Sequence, residues 1–338
     1  MEFMAGIIGL KIRMYLTLAL VFAIGFGIIY AIMVFFGAGF YAILVFALLF
    51  FLLQWYISPV IMKHAARLHY LEKNEDKELQ DTVAELADEA GVPRPRVAIA
   101  DVQEPNAFVF GRTRNSATLV VHKGLLNMLD KKELRAVLAH EIGHLKHSDV
   151  SVMVFVSFIP MLAYIIAQSM FFSSIFGGMG GRRNSSAYAI AVGAGAFIIY
   201  LVTQLLILSL SRSRESYADE YSATSTKKPE DLATSLLKIT TQNTAPSSPS
   251  QNSTVARSFY IVDSFTAGKE TQELTAHVKE LKELLPNFNI NSLIAQVKGE
   301  TRRSYGLFSL FTTHPPTYKR ILALAGLKHQ LNAQGVSK

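Results

Sequence analysis

Ala139-His140-Glu141-Ile142-Gly143-His144 decides how this chain is read. It lies in a segment with helical spacing, in which Leu134, Val137, Leu138, Ile142 and Leu145 recur on one face. Asp130 is a fitting N-cap for that helix, and Glu133 three residues on completes a capping box. Positions i and i+4 of an α-helix share a face, so His140 and His144 can converge on one metal ion. That leaves room for a third ligand and a water. Glu141 stands beside the first histidine, placed to take a proton from that water, whose pKa zinc lowers to about 7. This is the metallopeptidase arrangement, and the competing reading is a polar helix face with two solvated histidines. The helical setting, the cap and Gly143 favour metal.

Outward from this helix the composition changes sharply. Of 338 residues only 17% are charged, against about 25% in ordinary soluble domains. The deficit is local: residues 14–62, 150–181 and 184–211 contain no Asp, Glu, Lys or Arg. A spanning helix needs about 20 apolar residues. The second and third stretches therefore suit one span each, and the first suits a hairpin turning at Gly37-Ala38-Gly39. Four transmembrane helices are expected, at 14–35, 39–60, 150–172 and 187–210. Buried helices of a soluble protein would usually keep a polar stripe, which is missing here. The first stretch also far exceeds the apolar core of a signal peptide.

Lys11, Arg13, Lys63, Arg67, Lys146, Arg212 and Arg214 flank the spans on one side. This bias places both termini and the polar segments in the cytoplasm. Arg182 and Arg183 run against it. The net charge of +7 then reflects anchoring at anionic lipid, and no nucleic-acid partner is implied. The absence of cysteine excludes thiolate zinc sites, disulfides, iron–sulfur clusters and cysteine nucleophiles together.

The expected organisation is a tail at 1–13, a transmembrane hairpin at 14–60 and a first catalytic segment at 61–149. A second hairpin follows at 150–210, and a second catalytic segment at 211–338 with a linker at 244–258 rich in Ser, Pro, Gln and Asn. Helices are expected at 75–90, ending at Gly91, and at 211–241, 271–285 and 315–331. Strands are expected at 96–101, 107–110 and 117–122. The hairpin at 150–210 leaves and re-enters on the same side, which returns the chain to the metal helix. Within Ser213-Arg214-Glu215-Ser216-Tyr217-Ala218-Asp219 this makes Glu215 the better candidate for third ligand. Asp219, one turn on, could accept the other ring N–H of a ligand histidine. His147 lies only one turn beyond His144 and would point further along the helix, towards an outer shell or the surface.

These features together resemble the HtpX-like membrane zinc metallopeptidases, relatives of the CAAX prenyl proteases. The resemblance rests on His140-Glu141-Ile142-Gly143-His144, on Glu215 and Asp219 in a Glu-x-x-x-Asp pattern, on Asn106-Ala107-Phe108, and on Thr313-His314-Pro315-Pro316. It implies a mainly α membrane protein with four transmembrane helices and a cytoplasmic zincin-like (gluzincin) domain carrying a small β-sheet. One Zn2+ per chain would be held by His140, His144 and Glu215, with Glu141 as general base. His314 and Arg320 would stabilise the oxyanion, and Asn106, Ala107, Phe108 and Val109 would hold an extended peptide along a strand edge. The implied role is endopeptidase cleavage of misfolded or damaged membrane proteins at the cytoplasmic face of the cell membrane, in quality control and stress response.

Two alternatives stay open: a CAAX-type protease acting on prenylated substrates, and a catalytically silent zinc-binding membrane scaffold. An intramembrane protease with its motif in lipid is disfavoured by Lys131, Lys132, Glu133, Arg135, Lys146 and Asp149 around the motif.

Overall fold

The computed structural model describes residues 68–176, 183–242 and 314–333, with scattered residues between 45 and 63. The expected span at 14–35, most of that at 39–60, the linker at 244–258 and the helix at 271–285 lie outside the described residues. Two units form. One comprises Met1–Ser58 and Ser151–Ser211, the other Pro59–Val150 and Arg212–Lys338.

The second unit is built on a small sheet and the helix that bears the histidine pair. Strands β1 (Leu68–Tyr70), β2 (Arg96–Ala100), β3 (Ala107–Phe110) and β4 (Thr118–His122) lie in the order β1-β2-β4-β3. β2 and β4 are parallel, and the other two pairings are antiparallel. Alternation along the strands feeds two separate apolar layers. Phe108, Phe110 and Val120 pack with Ala98 and Ala100 on one face. Ala107, Val109, Leu119 and Val121 face a larger core.

That core is closed by helices α1 (Lys77–Ala90), α3 (Lys131–Lys146), α6 (Pro229–Gln242) and α7 (Thr317–Ala333). α1 begins at Asp76 and stops at Gly91, whose φ of 66° suits a residue without a Cβ. For α3, Asp130 accepts from the N–H groups of Lys132 and Glu133, and the Glu133 carboxylate accepts from the Asp130 N–H. The expected box is therefore closed, each bond being 2.9 Å long.

Three local features depart from the sequence reading. β1 is too short for periodicity to reveal. Helix α2 (Lys123–Met128) directly follows β4, where a Cβ on Gly124 would come within 1.9 Å of the Gln103 carbonyl oxygen. The segment 211–241 is not one helix. Its first part continues α5 (Arg183–Thr226), which breaks at Lys227 (φ 57°) before α6 starts on Pro229. Proline has no N–H to continue the preceding helix but suits the first position of the next.

In the first unit, α4 (Asp149–Phe176) and α5 meet through Val156, Ile159, Ala163, Ile207 and Leu210. Tyr164, Phe171, Ile190, Phe197, Ile198, Leu201 and Val202 stay exposed. Among the described residues, Ile190–Thr226 alone is long and apolar enough to cross a bilayer by itself, and α4 meets that test only jointly with α3. Only 22% of the most apolar window of Ile190–Thr226 is buried, unlike the core helix of a soluble protein.

The last two turns of α5 pack against α3 in the second unit. A Cβ on Gly143 would meet the Tyr221 side chain at 3.1 Å and the Ala218 Cα at 3.2 Å. Further along, the Ser222 hydroxyl donates to the Ala136 carbonyl at 2.7 Å. The contacts 143–218 and 136–222 show that the two helices run antiparallel and close. A Gly143→Leu substitution should overpack this seam, costing about 1–3 kcal/mol or more. Thermal unfolding of the purified protein checks this, and an unchanged midpoint would contradict the close approach.

Candidate metal centre

The α3–α5 seam brings together groups far apart in sequence. His140 and His144 turn their Nε2 atoms toward each other at 3.2 Å. Glu215, from α5, places Oε2 3.5 Å from His140 Nε2 and Oε1 3.4 Å from His144 Nε2. All three are largely buried, with the Glu141 carboxylate close to both imidazoles. The donor set fits a tetrahedral zinc ion. Bonds of about 2.0–2.1 Å at tetrahedral angles separate two ligand nitrogens by about 3.3 Å, close to the spacing found. Glu215 Oε2 also has no hydrogen-bond partner in this buried setting, as suits an oxygen kept for a cation.

The backs of the imidazoles are held by two further carboxylates. His144 Nδ1–H donates to Asp149 Oδ2 at 2.6 Å. Asp219 Oδ1 lies 3.0 Å from His140 Nδ1, off the line of its N–H, so this contact is electrostatic rather than a directed hydrogen bond. Asp219 in turn accepts two hydrogen bonds from Arg320 of α7, at 2.8 and 2.7 Å. Arg320 Nη1 is also 3.5 Å from Glu215 Oε2. His314, just before α7, sets its Nε2 3.6 Å from Glu215 Oε1.

The expected site residues His140, Glu141, His144, Glu215, Asp219, His314 and Arg320 therefore gather in one buried cluster. Most of the Arg320 fork is spent on Asp219. His147 caps α3, with Nδ1 2.8 Å from the Gly143 carbonyl and its ring against Tyr217. It stands apart from the group able to hold an ion. Asn106, Ala107, Phe108 and Val109 are buried at the sheet edge, with β3 paired to β4 and α3 packed beside it.

Two members of the cluster escape the sequence reading. Asp149 registers there only as a charge near the motif, and Arg214 only as a basic residue flanking a span. Both are buried and paired with each other. The available signal is the pairing of opposite charges at the two ends of one hairpin whose arms, 150–181 and 184–211, carry no charge.

Burial shapes the electrostatics. It pushes the Glu141 carboxyl above its ordinary range, although the two imidazoles pull the other way. Burial also opposes charge on Glu215, yet His314 and the neighbouring His140 and His144 rings hold its carboxyl well below the usual value. For His144, burial disfavours the proton, but Asp149 and Glu215 outweigh it and hold the imidazole well above its usual value.

Comparison with known proteins accords with this geometry. Residues 73–328 match Peptidase family M48. The chain belongs to this family. As an M48 peptidase it is a metalloprotease, hence a hydrolase, and a membrane protein. It is similar to the Protease HtpX homolog of Methanothermobacter thermautotrophicus, 42% identical over 233 residues that make up 68% of this chain and 85% of that protein. The Protease HtpX homolog of Aeropyrum pernix is 34% identical over 289 residues, covering 84% and 85% of the two chains. That of Moorella thermoacetica is 32% identical over 96% of both. In fold this M48 peptidase is similar to the crystal structure of S. mikatae Ste24p. The TM-score is 0.50 at 22% identity, over 94% of this chain and 67% of that one.

A proton on His144 competes with a metal ion for the same ring. Because its pKa is raised, that proton persists above the ordinary imidazole value of 6.5. Zinc affinity should therefore rise with pH through and beyond that value as protons cease to compete. Chelator competition between about pH 6 and 8, spanning the ordinary imidazole range, checks this. A flat profile would contradict it.

Proposed function

We propose that this chain is a zinc-dependent membrane endopeptidase that cleaves misfolded or damaged membrane proteins at the cytoplasmic face. The observation that carries the reading is the buried convergence of two imidazole nitrogens and the Glu215 carboxylate within 3.2–3.5 Å, with Glu141 beside them. His140, His144 and Glu215 would hold the ion. When bound, zinc would supply Lewis acidity toward the scissile carbonyl and the attacking water.

Glu141 takes the proton from that water as the oxygen attacks the carbonyl carbon, and then delivers it to the leaving amine as the C–N bond breaks. Burial, which raises its pKa, favours a carboxyl that can hold the proton between the two steps. His314, beside Glu215, donates to the oxygen that gains charge. Arg320 supports the same charge from behind, through Asp219 and Glu215. The edge of β3 receives the substrate in extended form, with backbone bonds supplying register. Asn106, Ala107, Phe108 and Val109 form that edge.

Four spans, two hairpins and cytoplasmic placement of both catalytic segments follow from the uncharged stretches and from the Lys/Arg bias. A protease held at the bilayer by such spans meets membrane-embedded clients where their loops emerge, which supports the quality-control role. Since the chain has no cysteine, single introduced cysteines report topology without background. Ser250→Cys should label only from the cytoplasmic side, and Ala38→Cys and Ser185→Cys only from the other. Labelling of Ser250→Cys and Ala38→Cys from one side would rule out this topology.

The catalytic assignment has a direct test. A Glu141→Gln substitution should retain zinc yet lower casein cleavage by at least about 100-fold, the scale of general-base catalysis. Chelation should abolish activity in the parent, and added zinc should restore it. Full activity in Glu141→Gln, or a parent insensitive to chelators, would sink the reading.

A further inference from the structure

We propose that Asp149, gripped by Arg214, is a positioning residue that fixes His144 for metal binding; the inference rests on the zinc-site reading above. Asp149 opens α4, and Arg214 lies on α5 immediately before Glu215. One Asp149 oxygen accepts from His144 Nδ1–H at 2.6 Å, and the other pairs with Arg214 Nη2. Both side chains are buried, with 6% and 3% of their residues' surface exposed.

A buried guanidinium needs a reason. Nε and Nη1 of Arg214 have no hydrogen-bond partner, so its cost of burial is offset chiefly at Asp149. A lone buried carboxylate would be equally costly. Together the two charges are tolerable, and the product of the pairing is an anionic oxygen held rigidly behind His144. That oxygen selects the tautomer with hydrogen on Nδ1, which leaves the Nε2 lone pair facing His140 and Glu215.

The backbone makes this possible. α3 ends at Lys146, and Ser148 adopts a left-handed conformation (φ 60°) before α4 begins. The chain thereby brings the residue five positions after His144 back to its ring. The arrangement parallels Arg320–Asp219–His140, in which α5 supplies the carboxylate and α7 the arginine. Asp149 accepts from His144 Nδ1–H at 2.6 Å, and Asp219 stands 3.0 Å from His140 Nδ1.

The test uses the full-length purified protein and Zn2+ itself, titrated against a chromophoric chelator at neutral pH. Asp149→Asn keeps the shape and an acceptor oxygen but removes the charge, and should weaken zinc binding about 10–100-fold. The double substitution Asp149→Asn/Arg214→Gln removes the unpaired guanidinium as well, so the protein need not fold around a lone buried charge. It should show the same loss. The visible spectrum of the Co2+-loaded protein should shift in both variants, which a purely structural role would not cause. An affinity within about threefold of the parent in the double variant, well inside the range expected for losing an outer-shell carboxylate, overturns the proposal. So does an unchanged Co2+ spectrum. A parent protein that binds no zinc would instead overturn the zinc-site reading on which the proposal rests.

Discussion

Burying charge is the constraint on which the catalytic unit depends. Glu141, Asp149, Glu215 and Asp219 lie in the interior with Arg214 and Arg320. Four carboxylates against two guanidinium groups leave two negative charges when the imidazoles are neutral. Such an excess is untenable in a medium of low polarity unless it is matched. A divalent cation between His140, His144 and Glu215 would match it. The charge count of the interior thus favours a cation at the same place as the ligand spacing does.

Meeting this constraint needs helices that approach closely, and the secondary structure is arranged to allow it. Gly143 lets α5 lie against α3 near Ala218, which aligns Glu215 and Asp219 with the histidine pair. α6 then packs at the N-terminal turn of α3, where Ser235 donates to the Glu133 carbonyl and Lys238 pairs with the Glu133 side chain. α7 packs on α6, with Thr240 donating to Thr317 at 3.2 Å, and so delivers Arg320 to Asp219. α7, far from the motif in sequence, thus supplies the cluster with a counter-charge.

How far the sequence reveals this depends on the range of the interaction. The histidine pair is legible because i and i+4 on a capped helix are fixed by local geometry. Glu215 is legible because a hairpin with both ends on one side must return the chain near its start. α1 and strands β2 to β4 follow hydrophobic periods long enough to read. β1, with three residues, and α2, with six, are shorter than any period that could identify them. The break at Lys227 falls in a polar run, 224–231, where no apolar period can register it, and only the left-handed residue and Pro229 mark it. Asp149 is hidden for another reason. Its role arises where one helix ends and the next begins, and periodicity carries no information across a left-handed turn.

That turn has a metric consequence. From His144 to Asp149 the path consists of the end of α3, the cap at His147, Ser148, and the first residue of α4. A helix rotates by about 100° per residue, so one residue more or fewer here would swing the Asp149 carboxylate to another side of α4. No change of side chain could bring it back. At this junction the number of residues, as much as their chemistry, is part of the machinery, and an insertion of glycine would be as disruptive as the loss of the aspartate.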